Sequence, residues 1–230
     1  MDGNSVKKLP LIAACKNQHM SVVQLLLING ANPNLQEQGS EYSYCSLPLH
    51  IAAEGDNIEL VELLLKHGAD IDITDIDGNT ALHRAIEHHS NRTSCPPNSD
   101  NSRYVLPVVD ILLENKADVN KENKYGDTPL CLAALAGFLG VVHKMLGEYG
   151  GNANKSSPIR RPLVSACLIQ SVELVDTLLK HGADPNLQAW TSCDPDSNRI
   201  YPLFVAAFGG NNDIITLLLN GGAYVNNVDS

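Results

Sequence analysis

The chain has 230 residues, with 26 Asp and Glu against 16 Lys and Arg, giving a net charge of −10 and a pI near 5.1. That balance argues against nucleic acid as the main partner, because phosphate binding needs a basic stripe. Hydrophobic residues make up 43% of the chain and mean hydropathy is −0.10, enough apolar mass for a continuous core. No run approaches the roughly 18 apolar residues of a membrane-spanning helix, and the N-terminus has no signal-like apolar stretch. We therefore expect no membrane partner and an intracellular protein, cytoplasmic or nuclear.

In chain order, six similar helix starts appear: Pro10-Leu11, Pro48-Leu49, Ala81-Leu82, Pro129-Leu130, Pro162-Leu163 and Pro202-Leu203. Each is followed by a Leu-rich run that ends at Gly30-Ala31, Gly68-Ala69, Lys116-Ala117, Gly151-Asn152-Ala153, Gly182-Ala183 and Gly222-Ala223. Successive starts lie 38, 33, 48, 33 and 40 residues apart, which a 33-residue unit with three sites of insertion explains. Fixed self-similarity at this period marks stacked repeats. Within a unit, Pro suits the first helical turn, where its missing N–H costs nothing. Ala52-Ala53, Ala133-Ala134 and Ala206-Ala207 are small enough to let neighbouring first helices approach. A second helix follows with apolar residues at helical spacing, as in Ile58, Val61, Leu64 and Leu65. Gly68, Gly182 and Gly222 stand where a helix end favours a left-handed residue, and Asp77-Gly78 reads as a tight turn.

Repeat 2, SLPLHIAAEGDNIELVELLLKHGADIDITDIDGN, shows the pattern most fully. It resembles the ankyrin repeat, whose unit of 33 residues carries T-P-L-H-x-A near its start. Thr80 keeps the motif's Thr with Ala81 in place of Pro, and His50 and His83 keep its His. The resemblance implies an all-α solenoid of six helix-turn-helix repeats with β-hairpin-like fingers. We expect one domain over 1–230, with repeats at about 5–37, 43–74, 75–122, 123–155, 156–188 and 197–228.

Three insertions set this chain apart. They cover about Gln36–Leu47, His88–Tyr104 and Gln188–Tyr201; the first and third lengthen fingers, and the second falls between the two helices of repeat 3. Pro96-Pro97 with Asn, Ser and Asp gives the second turn chemistry without periodicity, and a disordered loop is expected there. His88, His89 and Cys95 lack the paired ligand spacing of structural zinc, so neither metal nor cofactor is expected. Cys45, Cys95 and Cys193 have no recognisable base beside them, and no phosphate loop or nucleophile motif is present, so no enzyme is expected. Cys15, Cys131 and Cys167 fall in first helices as small core residues of a reducing compartment. The sequons at Asn91 and Asn154 are taken as unused.

In ankyrin-type arrays, finger tips and exposed first-helix positions form a concave binding surface. Aligning the six copies places those positions at Lys16-Asn17, Glu54-Gly55, Glu87-His88, Leu135-Ala136, Leu168-Ile169 and Phe208-Gly209. Repeats 1–3 are polar there, whereas repeats 4–6 offer Leu135, Leu168, Ile169 and Phe208. Finger positions add Tyr125, Ile159, Arg160, Arg161, Trp190, Arg199, Ile200 and Tyr201. Aromatics and Arg are enriched at binding hot spots. A protein or peptide could set an apolar anchor against Phe208 and Leu168, with an acidic or phosphorylated group on Arg160, Arg161 or Arg199. The alternative is self-packing, with the third insertion lying over Phe208 and Leu168 as a lid on Trp190. Tyr42 and Tyr44 form a second candidate patch.

The expected function is a non-catalytic scaffold or adaptor that binds a protein segment. The alternative is a regulatory or targeting arm of a larger multidomain enzyme, such as a kinase or ubiquitin ligase; a plain spacer is the third reading. Repeat 6 keeps an internal-type second helix, which suggests a segment of a longer chain whose next repeat covers it, or a face that dimerises.

Overall fold

The computed structural model describes residues 9–37, 47–92, 106–190 and 199–226. Tyr42, Tyr44, Cys45, Cys95 and Cys193 lie outside them. Twelve helices occupy the described residues, two for each sequence repeat. First helices are α1 (Pro10–Lys16), α3 (Pro48–Glu54), α5 (Ala81–Arg92), α7 (Pro129–Leu135), α9 (Pro162–Leu168) and α11 (Pro202–Gly209). Second helices are α2 (Met20–Ile28), α4 (Ile58–Lys66), α6 (Pro107–Glu114), α8 (Leu139–Gly147), α10 (Val172–Lys180) and α12 (Asn212–Asn220). All six first helices begin at the residues that the helix starts in the sequence mark. Helix α5 continues through 88–92, where the sequence reading begins the second insertion, because no Gly or Pro follows Ala81 until Pro96.

Two compact units form, one from residues within 1–89 and 106–118, the other from residues within 90–105 and 119–230. In the first, α1 packs on α2 and α3, α3 on α4, and α4 on α6. In the second, α7, α9 and α11 make one row, and α8, α10 and α12 make another behind it. Small residues permit this closeness: Ala52, Ala53, Ala133, Ala134 and Ala206 are fully buried. Leu64 and Leu178, at matching places in second helices, are also fully buried.

Local polar chemistry fixes the helix ends. Asn57, Thr128, Ser171 and Asn211 cap helices by accepting N–H bonds from Leu60, Cys131, Leu174 and Ile214. Burial pulls the His50 imidazole below its ordinary pKa, and its Nε2 lies 2.8 Å from the Asn79 carbonyl, which suits a neutral ring donating that bond. The fingers repeat one turn twice. Asp75 and Asn123 each accept two N–H bonds through Oδ1, from Asp77 and Asn79 and from Tyr125 and Asp127. Gly78 and Gly126 take the left-handed backbone this turn needs, at φ of +78° and +76°. In repeat 3 the left-handed place after the second helix falls to Lys116, at φ +67°.

A ladder of side-chain amides and carboxylates ties successive turns. In the first unit Asn34 donates to the Gly68 carbonyl (3.0 Å) and accepts from the Asp70 N–H (2.8 Å), and Asp72 accepts from the Asp118 N–H (2.9 Å). In the second unit Asn120, Asn154 and Asn186 donate to the carbonyls of Gly150, Gly182 and Gly222. The same three accept from the N–H groups of Asn152, Asp184 and Tyr224. Asn154, a sequon residue, is thus engaged at both ends of its amide.

Candidate functional site

The seventh place of each first helix is its outer position, and its chemistry differs between the units. In the first unit it carries Lys16, Glu54 and Glu87. Lys16 pairs with Glu37 at 2.7 Å, and Arg84 sits among Asp75, Asp77, Glu54 and Glu87. Burial lowers the Arg84 pKa, but Asp75 and the two glutamates more than reverse this, so the guanidinium is held charged. An open groove of about 370 Å³ runs past Cys15, Gln18, Glu54, Asn57 and His88. His88 and His89 stand edge to face on α5, and His89 lies 3.4 Å from Asp56. Among the described residues no group of three His, Cys, Asp or Glu is placed to hold a metal.

In the second unit the same place carries Leu135, Leu168 and Phe208 on the adjacent helices α7, α9 and α11. Phe208 is 88% exposed and Leu168 55%, and Leu135 is also exposed, while Ile169 is half-buried. Of the third insertion, the expected lid over Phe208, residues 191–198 lie outside the described residues. Phe208 stacks on Phe204 one helical turn earlier, with ring centroids 6.5 Å apart at an angle of 22°. Tyr125 stands at the tip of the repeat-4 finger, 65% exposed.

The long finger of repeat 6 rises as a hairpin of β1 (Ala189–Trp190) and β2 (Arg199–Ile200), antiparallel, with Trp190 opposite Arg199 and Ala189 opposite Ile200. The Trp190 N–H also donates to the Pro158 carbonyl at 2.7 Å, which ties this finger to its neighbour. Trp190 and Tyr201 are half-buried, whereas Arg199 is exposed.

The paired arginines are committed within the fold. Arg160 bonds the buried Asp127 at 2.8 Å, and Ser157 donates to the same carboxylate. Burial nonetheless pushes the Asp127 pKa up against these partners. Arg161 donates to the carbonyls of Asn154 (3.1 Å) and Ser156 (2.9 Å), bracing its own finger, and burial lowers its pKa. Arg160 keeps part of its surface in solvent, so of the three arginines picked from sequence, Arg199 alone is exposed without an ion pair among the described residues.

A profile described as ankyrin repeats (three copies) matches residues 11–95 and 101–189, and one for the single ankyrin repeat matches 77–124 and 198–230. The chain belongs to the ankyrin-repeat family. It is 33% identical over 149 residues to the Ankyrin repeat and KH domain-containing protein mask-1 of Caenorhabditis elegans, covering 52% of this chain and 5% of that protein. It is 32% identical over 120 residues to Leucine-rich repeat serine/threonine-protein kinase 1 of Mus musculus, covering 52% and 6%. With the Escherichia coli (strain K12) ankyrin repeat protein YahD it shares 30% over 124 residues, 51% of this chain and 58% of the other. The chain thus spans less than two thirds of each of these curated relatives.

Two solved structures share the fold across nearly the whole chain. The ankyrin repeat domain of Bcl-3, described as a unique member of the IkappaB protein family, superposes with a TM-score of 0.71 at 24% identity, covering 96% of this chain and 89% of that one. An ankyrin repeat domain from Acinetobacter baumannii AYE gives 0.70 at 25%, covering 94% and 98%. Ankyrin repeats are protein–protein interaction modules that generally bind protein partners. Among the described residues no helix is long and apolar enough to cross a membrane.

The sequence reading passed over Phe204. The signal was available, because the third residue of the first helix is otherwise Ile12, His50, His83, Cys131 or Val164, all buried. A phenylalanine there, with its ring 60% exposed, is the odd member of that series.

Proposed function

We propose that this ankyrin-repeat chain is a non-catalytic scaffold or adaptor of the cytoplasm or nucleus. It holds an extended protein segment on the exposed positions of repeats 4–6. The observation that carries this reading is the row of Leu135, Leu168 and Phe208 on three adjacent helices, apolar and open to solvent. An exposed apolar row of this kind on a protein surface marks an interaction site. An apolar anchor of the partner lies against Leu168 and Phe208, with Ile169, Trp190 and Tyr201 at the margin and Tyr125 beyond. Arg199 is the best-placed cation for an acidic or phosphorylated group, because Arg160 and Arg161 already serve Asp127 and two backbone carbonyls.

The test is selection from a random-peptide display library, with a folded Leu168→Glu/Phe208→Glu variant as the counter-target. Peptides that carry an apolar anchor and fail on the variant support the site; peptides that bind both proteins equally sink it. A second reading, the targeting arm of a larger enzyme, draws support from the match to the mouse kinase. A catalytic domain on the same polypeptide, found by mass measurement of the protein isolated from its cells, would favour that reading.

A further inference from the structure

Repeat 6 exposes the residues that the earlier repeats bury. At the third place of the first helix, Ile12, His50, His83, Cys131 and Val164 are buried, while Phe204 is 60% exposed. At the sixth place, Cys15, Ala53, Ile86, Ala134 and Cys167 are wholly buried, while Ala207 faces solvent. In the turn after the second helix, Pro33, Val119, Ala153 and Pro185 are buried and Ile71 is half-buried, while Val225 is 73% exposed. Asn226 continues the series Asn34, Asp72, Asn120, Asn154 and Asn186, and its amide has no partner among the described residues.

Repeat 1 carries the matching half. Val22 is exposed where Leu60, Val108, Val141, Leu174 and Ile214 are buried, and Leu25 is 61% exposed beside an exposed Ile28. The Gly30 carbonyl and the Asn32 N–H stand where the ladder's rungs end in later repeats, and among the described residues neither is bonded.

We infer that the outer face of repeat 6 takes repeat 1 of a second copy of this chain, tail to head. Asn226 then donates to the Gly30 carbonyl of that copy and accepts from its Asn32 N–H, as Asn186 does with Gly222 and Tyr224. Phe204, Ala207 and Val225 cover Val22 and Leu25. A tail-to-tail pair would bring two copies of Asn226 together without the Gly carbonyl and N–H that complete the rungs of Asn34, Asn120, Asn154 and Asn186. The joint is therefore heterologous, with different surfaces from each copy.

Sedimentation velocity across low to high micromolar concentration tests this, using Leu25→Glu to block the head and Val225→Glu to block the tail. Both sites are largely exposed, so each variant keeps the wild-type far-ultraviolet circular dichroism. Wild type grows in mass with concentration, each variant alone stays monomeric, and their equimolar mixture forms a 1:1 dimer through the intact tail of one and intact head of the other. Asn226→Ala weakens wild-type association by about tenfold. A wild type that is monomeric throughout overturns the inference. So does a Leu25→Glu chain that dimerises alone, because that joint is tail to tail, or a mixture that fails to pair. Neither substituted residue belongs to the row from Leu135 to Phe208, so this inference and the proposed partner site fail independently.

Discussion

The two compact units bury the same kind of residue and expose different ones. Leu64 in the first and Leu178 in the second fill equivalent places and are equally closed to solvent. At the seventh place of the first helix the first unit carries Lys16, Glu54 and the half-buried Glu87, and the second carries Leu135, Leu168 and Phe208. Packing constrains the inner side of each helix and leaves the outer side free to vary. Outer residues that are apolar without helping the fold are therefore the informative ones.

The largest effect comes from breaking the shared part. Leu64→Ala and Leu178→Ala should each cost about 2–5 kcal/mol, with similar values in the two units, as measured by urea unfolding. A cost confined to one unit would show that their cores are not equivalent.

The buried thiols separate the units at high pH. Burial pushes Cys15 up to about 11, and Cys131 and Cys167 up to about 12, from an ordinary value of 9.0. A folded pKa above the unfolded one gives stability that is fully present below pH 9 and lost as pH rises toward 11–12. Melting temperature should therefore fall above pH 9, and Cys131→Ala/Cys167→Ala should flatten the fall more than Cys15→Ala does. An unchanged slope in the double variant would contradict the assignment.

A smaller effect concerns Lys116, which holds a left-handed backbone where four other repeats use glycine at φ between +82° and +92° or, in repeat 4, at +67° on Gly150. Lys116→Gly should stabilise the chain by up to about 1 kcal/mol in the same unfolding experiment. Destabilisation would mean that the lysine side chain contributes more than its backbone costs. The smallest stability effect is expected at the proposed site, where Phe208→Ala and Glu54→Ala should both stay within about 0.5 kcal/mol of wild type. Partner binding should separate them, lost with the first and kept with the second.

The fold was legible because its signals are local and repeated. Pro10, Pro48, Pro129, Pro162 and Pro202 mark helix starts by their fixed backbone angle, and Gly68, Gly182 and Gly222 mark ends by theirs. The exposed row of Leu135, Leu168 and Phe208 was legible for the same reason, since alignment of copies carries an outer position from one repeat to the next. The partners of Arg160 and Arg161 were not. Arg160 reaches Asp127 across 33 residues of sequence, and Arg161 turns to backbone carbonyls that any sequence possesses. The ladder was missed likewise, because Asn beside a turn reads as turn chemistry until its second partner, some thirty residues on, is in view.

The most direct test is an affinity pull-down from cell lysate in which wild type is compared with Leu168→Glu/Phe208→Glu and with Glu54→Lys/Glu87→Lys, all three folded by circular dichroism. Proteins retained by wild type and by the polar-half variant but lost from Leu168→Glu/Phe208→Glu are the predicted result. Retention by Leu168→Glu/Phe208→Glu with loss from Glu54→Lys/Glu87→Lys would contradict the account and move recognition to the charged positions of repeats 1–3.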